Sequence, residues 1–264
     1  MTALVIDRPA AGVLRWRMDG IEKLNALDET LRGALLDAIT AAAEDADVRA
    51  VLLTGTGRAF CAGGDISGMG VRSPAETVQL LQFGRRIVEG LASLQKPVIA
   101  AVNGIASGAG FNLALASDVI VASPSAWFQQ SFTRIGLMPD MGGTYLLAKY
   151  IGLGRAKEAL LTARRFTAQE GVDLGFVART LGGEGEADFD EEAVAYAATY
   201  AARAPLAVGM TKWLVNLAAD STLSEALDRE AMAQAVLGTT GDHQAAVAAF
   251  LAKQDLDSIE FKGE

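Results

Sequence analysis

The chain has 264 residues, 51% hydrophobic and 21% charged, enough apolar material for one large core or two small ones. Its 23 Lys and Arg against 32 Asp and Glu leave a net charge of -9, which opposes binding to phosphate backbones and excludes nucleic acid as a general partner. A lone cysteine, Cys61, and a lone histidine, His243, exclude an internal disulfide and a His/Cys metal cluster, so no metal is expected.

Charge follows directly on the short apolar run Leu4-Val5-Ile6, so the N-terminus does not read as a signal peptide. No apolar stretch of membrane length follows, and a cytoplasmic protein without membrane contact is expected. Leu14, Trp16 and Met18 alternate with Arg15 and Arg17, a strand pattern. Leu27, Leu31, Leu35 and Ile39 then recur with helical spacing, with Asp28 placed as N-cap. Val51-Leu52-Leu53 reads as a buried strand closed by Gly55, and a glycine-rich loop runs on to Gly70. A helix from about Ala75 to Leu94, a strand from Val98 to Val102, a helix from about Ala109 to Ser117 and a strand from Val119 to Val121 complete a repeated rhythm. Such alternation predicts an α/β fold with largely parallel strands. From Gly142 onward the pattern reads almost wholly helical: Tyr145 to Tyr150, Arg155 to Thr162, Thr167 to Leu174, Glu191 to Arg203, then segments through Thr211, Ser224 and His243. The run Gly182 to Glu186 reads as a turn or linker. Ala- and Leu-rich late helices suit the burial of a subunit contact.

His243 lies in a helical pattern, and no G-x-S-x-G occurs, which argues against a Ser-His-Asp hydrolase. Two glycine-rich turns each follow a buried strand, Ala59 to Ile66 and Asn103 to Asn112. Neither fits a dinucleotide or P-loop fingerprint. Small residues after a strand let backbone amides approach a ligand, and two converging amides make an oxyanion hole.

Four blocks in register resemble the crotonase, or enoyl-CoA hydratase/isomerase, superfamily: Lys23-Leu24-Asn25-Ala26-Leu27, Arg58 through Ile66, Lys96 through Gly104, and Gly136 through Thr144. The resemblance implies a spiral of ββα repeats over residues 1–195 and a helical oligomerisation region over 196–264, assembled as a homotrimer or dimer of trimers. It implies an acyl-CoA thioester substrate and no cofactor, since CoA belongs to the substrate. Carried over by position, the N–H groups of Gly64 and Ala109 hold the thioester oxygen. Ala26 and Ala62 meet CoA through backbone and Arg58 through charge near phosphate, with Asp65 and Ile66 in the same site. Asp65 also suits an Asx-type bond that orders the loop. The runs Phe250 to Lys253 and Phe261-Lys262 resemble the family's tail, which reaches a CoA.

The two glutamates typical of hydratases are replaced by Asn112 and Phe132, neither of which transfers a proton. One carboxylate remains nearby, Asp140, where isomerases and 4-chlorobenzoyl-CoA dehalogenases of the superfamily also carry one. The string from Phe132 to Leu147 most resembles ring-1,2-epoxyphenylacetyl-CoA isomerases, which also shift enoyl-CoA double bonds. Asp140 is thus expected as a single acid/base, desolvated by Phe132, Leu137, Met138 and Trp127. A turn or helix cap is the alternative role for Asp140. Asp118 and Cys61 are expected to be structural, and Phe111, Phe128, Phe132, Tyr145 and the segment from Val71 to Phe83 to shape the acyl pocket. The rival functions are hydration of enoyl-CoA, nucleophilic attack by Asp140 on an aryl-CoA, and acyl-CoA binding without catalysis.

Overall fold

The computed structural model describes residues 1–65, 70, 72–183 and 186–264. Strands β1 (Ala3–Ala10) and β2 (Val13–Asp19) form an antiparallel hairpin that leads through helix α1 (Glu29–Glu44). The Asp28 carboxylate caps α1, accepting Leu31 N–H at 2.9 Å as its position predicts. Three ββα turns follow: β3 (Ala50–Gly55), β4 (Ala59–Cys61) and α2 (Pro74–Ser93); β5 (Val98–Val102), β6 (Ile105–Ser107) and α3 (Ala109–Leu115); β7 (Val119–Ala122), β8 (Trp127–Gln129) and α4 (Gly143–Ile151). In each turn the first strand enters one sheet and the second strand another. A six-stranded sheet ordered β1-β2-β3-β5-β7-β10 and a four-stranded sheet ordered β4-β6-β8-β9 result, and the backbone winds between them as a spiral.

The strand period decides what each face of the large sheet buries. Val51, Leu53, Val98, Ala100 and Val102 point into the main core with α1, α2 and α3. Their neighbours Ala50, Leu52, Ile99 and Ala101 point the other way, against Phe189, Ala193, Ala197 and Ala201 of α7 (Glu186–Ala201). Both faces of the central strands are therefore dry, as expected of parallel strands.

Several expectations need correction. The region after Gly142 is not purely helical: beyond α5 (Leu153–Thr162), β9 (Arg165–Thr167) pairs antiparallel with β8, and beyond α6 (Ala168–Leu174), β10 (Arg179–Thr180) extends the large sheet. Segments of two or three residues are too short to show a period. The division at 195/196 falls inside α7, which packs on the sheet along its length, so the change in packing comes after Ala201. Beyond it stand α8 (Pro205–Ala218), α9 (Leu223–Leu237) and α10 (Gly241–Leu251). Phe111 and Phe128 belong to a fully buried cluster with Phe166 and Phe176, ring centroids 5.1 Å apart for the first pair, and serve there as core. No helix among the described residues is long and apolar enough to cross a membrane.

Candidate active site

The two glycine turns meet because glycine lets them. Gly110 of α3 packs so closely on β4 that a Cβ there would lie 2.1 Å from the Cys61 carbonyl oxygen. Gly63 holds φ at +103°, and a Cβ on it would fall 2.8 Å from the Ser107 carbonyl and 3.4 Å from the Ala109 nitrogen. The first turn is held from its other side by Leu27, whose N–H donates to the Gly63 carbonyl at 2.7 Å, and by Ala62, whose N–H reaches the Leu24 carbonyl at 3.0 Å. The second turn is held by the Gly108 N–H, which donates to the Gln129 carbonyl at 2.8 Å. Among the described residues neither the Gly64 N–H nor the Ala109 N–H has an acceptor within the protein. Two tightly braced turns thus carry the unsatisfied donors that an oxyanion hole requires.

A cleft of about 560 Å³ opens at Gly64 and is lined by Lys23, Ala26, Ala62, Asp65, Ser131, Arg134 and Ile135 as well. Of the expected ligand-binding residues, Ala26, Ala62, Gly64 and Asp65 are brought together here. Ile66 lies outside the described residues. Arg58 is exposed and contributes no lining; its main chain instead packs against β6, accepting the Ile105 N–H at 3.2 Å. Sequence reasoning did not single out Lys23 and Arg134, although both lie in the quoted motif strings. Lys23 pairs with Asp65 at 2.7 Å, so the Asp65 carboxylate serves a salt bridge across the cleft wall. Phe250 at the chain's tail is exposed.

Asp140 is tied to the second turn through Asn112, which stands one helical turn beyond Ala109 on α3. Asn112, three residues along α3 and on the same side as Ala109, donates from Nδ2 to the Asp140 main-chain carbonyl at 2.9 Å. The Gly143 N–H donates to the same carbonyl at 2.8 Å. α4 begins with Gly142 as N-cap and no side-chain cap, so the Asp140 carboxylate does not serve as a helix cap. Its Oδ1 is buried and has no hydrogen-bond partner. Burial holds the carboxyl above its ordinary value, opposed mainly by the positive charge of Arg32 on α1.

The source of this burial differs from expectation. Leu137 and Met138 point outward, 48% and 70% exposed, and the Trp127 ring lies under the Arg165 guanidinium at 4.1 Å. Pro139 and Met141, both buried, flank the aspartate instead, and Met141 reaches Gly84 of α2. Phe132 is half-buried and packs on the core beside Gly108. Tyr145 is turned to Asp220, its hydroxyl donating at 2.6 Å. Cys61 is buried against the core, its thiol pushed up to about 11 by that burial, as befits a packing residue. His243 is exposed on α10.

A two-sheet ββα spiral with paired amide donors at the head of a cleft defines an α/β protein built to bind an anionic oxygen. Residues 8–261 match the family model described as enoyl-CoA hydratase/isomerase. Along its whole length the chain is 33% identical to 1,2-epoxyphenylacetyl-CoA isomerase of Escherichia coli strain K12, which is also covered entirely. It is 39% identical to a probable enoyl-CoA hydratase of Rhodobacter capsulatus over 90% of each chain. The crystal structure of an enoyl-CoA hydratase from Bacillus anthracis superimposes with a TM-score of 0.92 at 32% identity, covering 99% of both chains. The chain is an enzyme of the enoyl-CoA hydratase/isomerase family, within the crotonase superfamily, a family that acts on acyl-CoA thioesters.

Proposed function

We propose that this enzyme is an acyl-CoA isomerase that shifts a double bond, or rearranges a ring epoxide, with Asp140 as its single acid/base. The observation that carries this reading is the buried, unpartnered Oδ1 of Asp140, on a residue tied by Asn112 to the helix that Ala109 opens, with Asn112 and Phe132 where hydratases have glutamates. In a 3-enoyl-CoA, Asp140 takes a proton from C2, and the electron pair spreads over the thioester and the double bond. Negative charge collects on the thioester oxygen, where the N–H groups of Gly64 and Ala109 receive it. The same carboxyl returns the proton to C4, leaving the 2-enoyl isomer with all atoms conserved. One carboxylate suffices because proton removal and return occur on one face. Whole-length similarity to a 1,2-epoxyphenylacetyl-CoA isomerase supports this reading.

The CoA moiety lies along Ala26 and Ala62, and the Lys23 and Arg134 cations at the cleft offer its phosphates charge. No cofactor takes part, CoA being carried by the substrate, and the enzyme works in the cytoplasm. Exposed apolar side chains on the late helices, Trp213, Val215, Leu227, Met232 and Val236 among them, suit burial in a homotrimer or dimer of trimers.

Turnover of a 3-enoyl-CoA, followed by conjugated-thioester absorbance, tests the proposal. Asp140→Asn should lose at least about 10³-fold in kcat, since no second acid stands in for it. Unchanged turnover in that variant would remove Asp140 from the chemistry. Hydration is the second reading, favoured by the 39% identity to a probable hydratase; it gains ground where the wild type hydrates a 2-enoyl-CoA faster than it isomerises a 3-enoyl-CoA.

A further inference from the structure

The segment around Asp140 is held in a conformation that its own chemistry disfavours. Met141 has φ at +44°, in the left-handed region where a Cβ is crowded, and Gly142 follows at +76°. The Asp140 Oδ1 is buried without a partner although an outward turn of the side chain would give it water. Some interaction elsewhere must keep the segment from relaxing.

The main-chain carbonyl of Asp140 supplies the hold. It accepts from Gly143 N–H at 2.8 Å and from Asn112 Nδ2 at 2.9 Å. Asn112 is fully buried, so its amide has no water to turn to. Its orientation is dictated from behind by Gln130, also buried, whose Nε2 donates to Asn112 Oδ1 at 2.6 Å. With Oδ1 engaged there, Nδ2 is the end left to face the Asp140 carbonyl. Gly143 makes room for this arrangement, because a Cβ there would sit 2.4 Å from Asn112 Oδ1 and 2.6 Å from Nδ2. Gln130 accepts a cost of its own, since its Oε1 is buried and unpartnered. An apolar side chain at 130 would avoid that cost but lose the bond that orients Asn112.

We infer that Asn112 and Gln130 are positioning residues that act in series, clamping the Asp140 carbonyl so that the carboxylate stays turned into the site. Asn112 thus has a use beyond filling the place of a hydratase glutamate. The inference rests on the reading of Asp140 as the acid/base.

The test uses the full chain and three variants. Asn112→Leu keeps the volume and removes the donor; Gln130→Glu keeps the shape and replaces the donor with acceptors, so that the Asn112 amide is turned over; Gln130→Leu serves where the added charge prevents folding. Near-UV circular dichroism selects folded variants. Isomerase kinetics give kcat and KM, and the Asp140 carboxyl is titrated by carbon-13 NMR, its signal identified by its absence in Asp140→Asn. Asn112→Leu should lower kcat about 10- to 100-fold with little change in KM, the cost of a displaced catalytic group. Its Asp140 carboxyl should titrate lower than in the wild type, because a released side chain reaches water and loses the burial that raises it most, which outweighs the loss of the Asn112 amide that itself lowers it. A Gln130 variant should do the same, and the double variant Asn112→Leu/Gln130→Leu should be no worse than Asn112→Leu, as expected of groups acting through one carbonyl. Folded variants whose Asp140 titration is unmoved would overturn the inference, whatever their rates. Full activity of Asp140→Asn would instead sink the acid/base reading, while the titration would still report on the clamp.

Discussion

Two aspartates are partly buried in the walls of this spiral, and their surroundings treat them in opposite ways. Asp118, between α3 and β7, accepts the Val98 N–H at 2.7 Å and pairs with Lys212 of α8 at 2.7 Å. Lys212 in turn donates to the carbonyls of Leu91 and Lys96 at 2.8 and 3.0 Å. Burial pushes Asp118 up and Lys212 down, toward their neutral forms, and their mutual attraction resists both shifts. Asp140 is also held up by burial, but its Oδ1 has no partner and the main opposing charge, Arg32, makes no ion pair with it among the described residues. A carboxylate whose valences are filled joins parts of a structure, here α8 to the spiral. One whose oxygen is left empty inside a braced frame is available to exchange a proton.

Emptying the filled site should damage folding rather than chemistry. Lys212→Met leaves Asp118 buried without its cation and should cost about 3–5 kcal/mol of stability, read from urea unfolding, with the rate per folded molecule kept. A loss of rate at unchanged stability would erase the contrast between the two sites. Disturbing the frame around the empty site should do the reverse. Gly63→Ala places a methyl against the Ser107 carbonyl at a φ that suits glycine, and misaligns the Gly64 and Ala109 donors. Losing the aim of one such donor is worth about 10²–10³ in kcat, so kinetics at saturating substrate measure it directly. A fully active variant would show that these amides do not receive the developing charge.

The smallest effect concerns the stability that Asp140 itself withholds. Its folded pKa is raised, so folding favours the protonated form; that contribution is complete below the ordinary carboxylate range and disappears as pH rises through the raised value. At neutral pH the ionised group weakens the fold. Asp140→Asn should therefore be more stable than the wild type by about 1 kcal/mol at pH 7, a gain that shrinks as pH falls through the raised value and is gone below the ordinary carboxylate range. Thermal melts across pH check this; a variant less stable at pH 7 would mean that the Asp140 charge is compensated after all. Together with the lost turnover, the expected gain would mark Asp140 as a residue kept at the expense of stability.

Much of this was legible beforehand. Alternation in Leu14, Trp16 and Met18 and the apolar runs at Val51 and Val98 located the strands of the large sheet, and Asp28 marked the start of α1. The glycines after Cys61 and Asn103 announced close backbone approach, and Asp140 stood out as the carboxylate left in the right block. The four-stranded sheet stayed hidden because its strands are three residues long, less than two full alternations. Asn112 was set aside because its side chain moves no proton, and nothing local signals a residue that works by holding another's carbonyl.

Sequence by itself therefore determined the longer elements and the family and marked the candidate residues, since helical and strand periods, turn glycines and side-chain acidity are properties of neighbours in the chain. Tertiary structure decided which of those residues have partners. Asp118 meets Lys212, Gly63 meets Ala109, and Asn112 stands between Gln130 and Asp140 only when the spiral closes. Whether a buried oxygen is satisfied or left empty depends on contacts between distant segments, and so does the pKa that its burial sets.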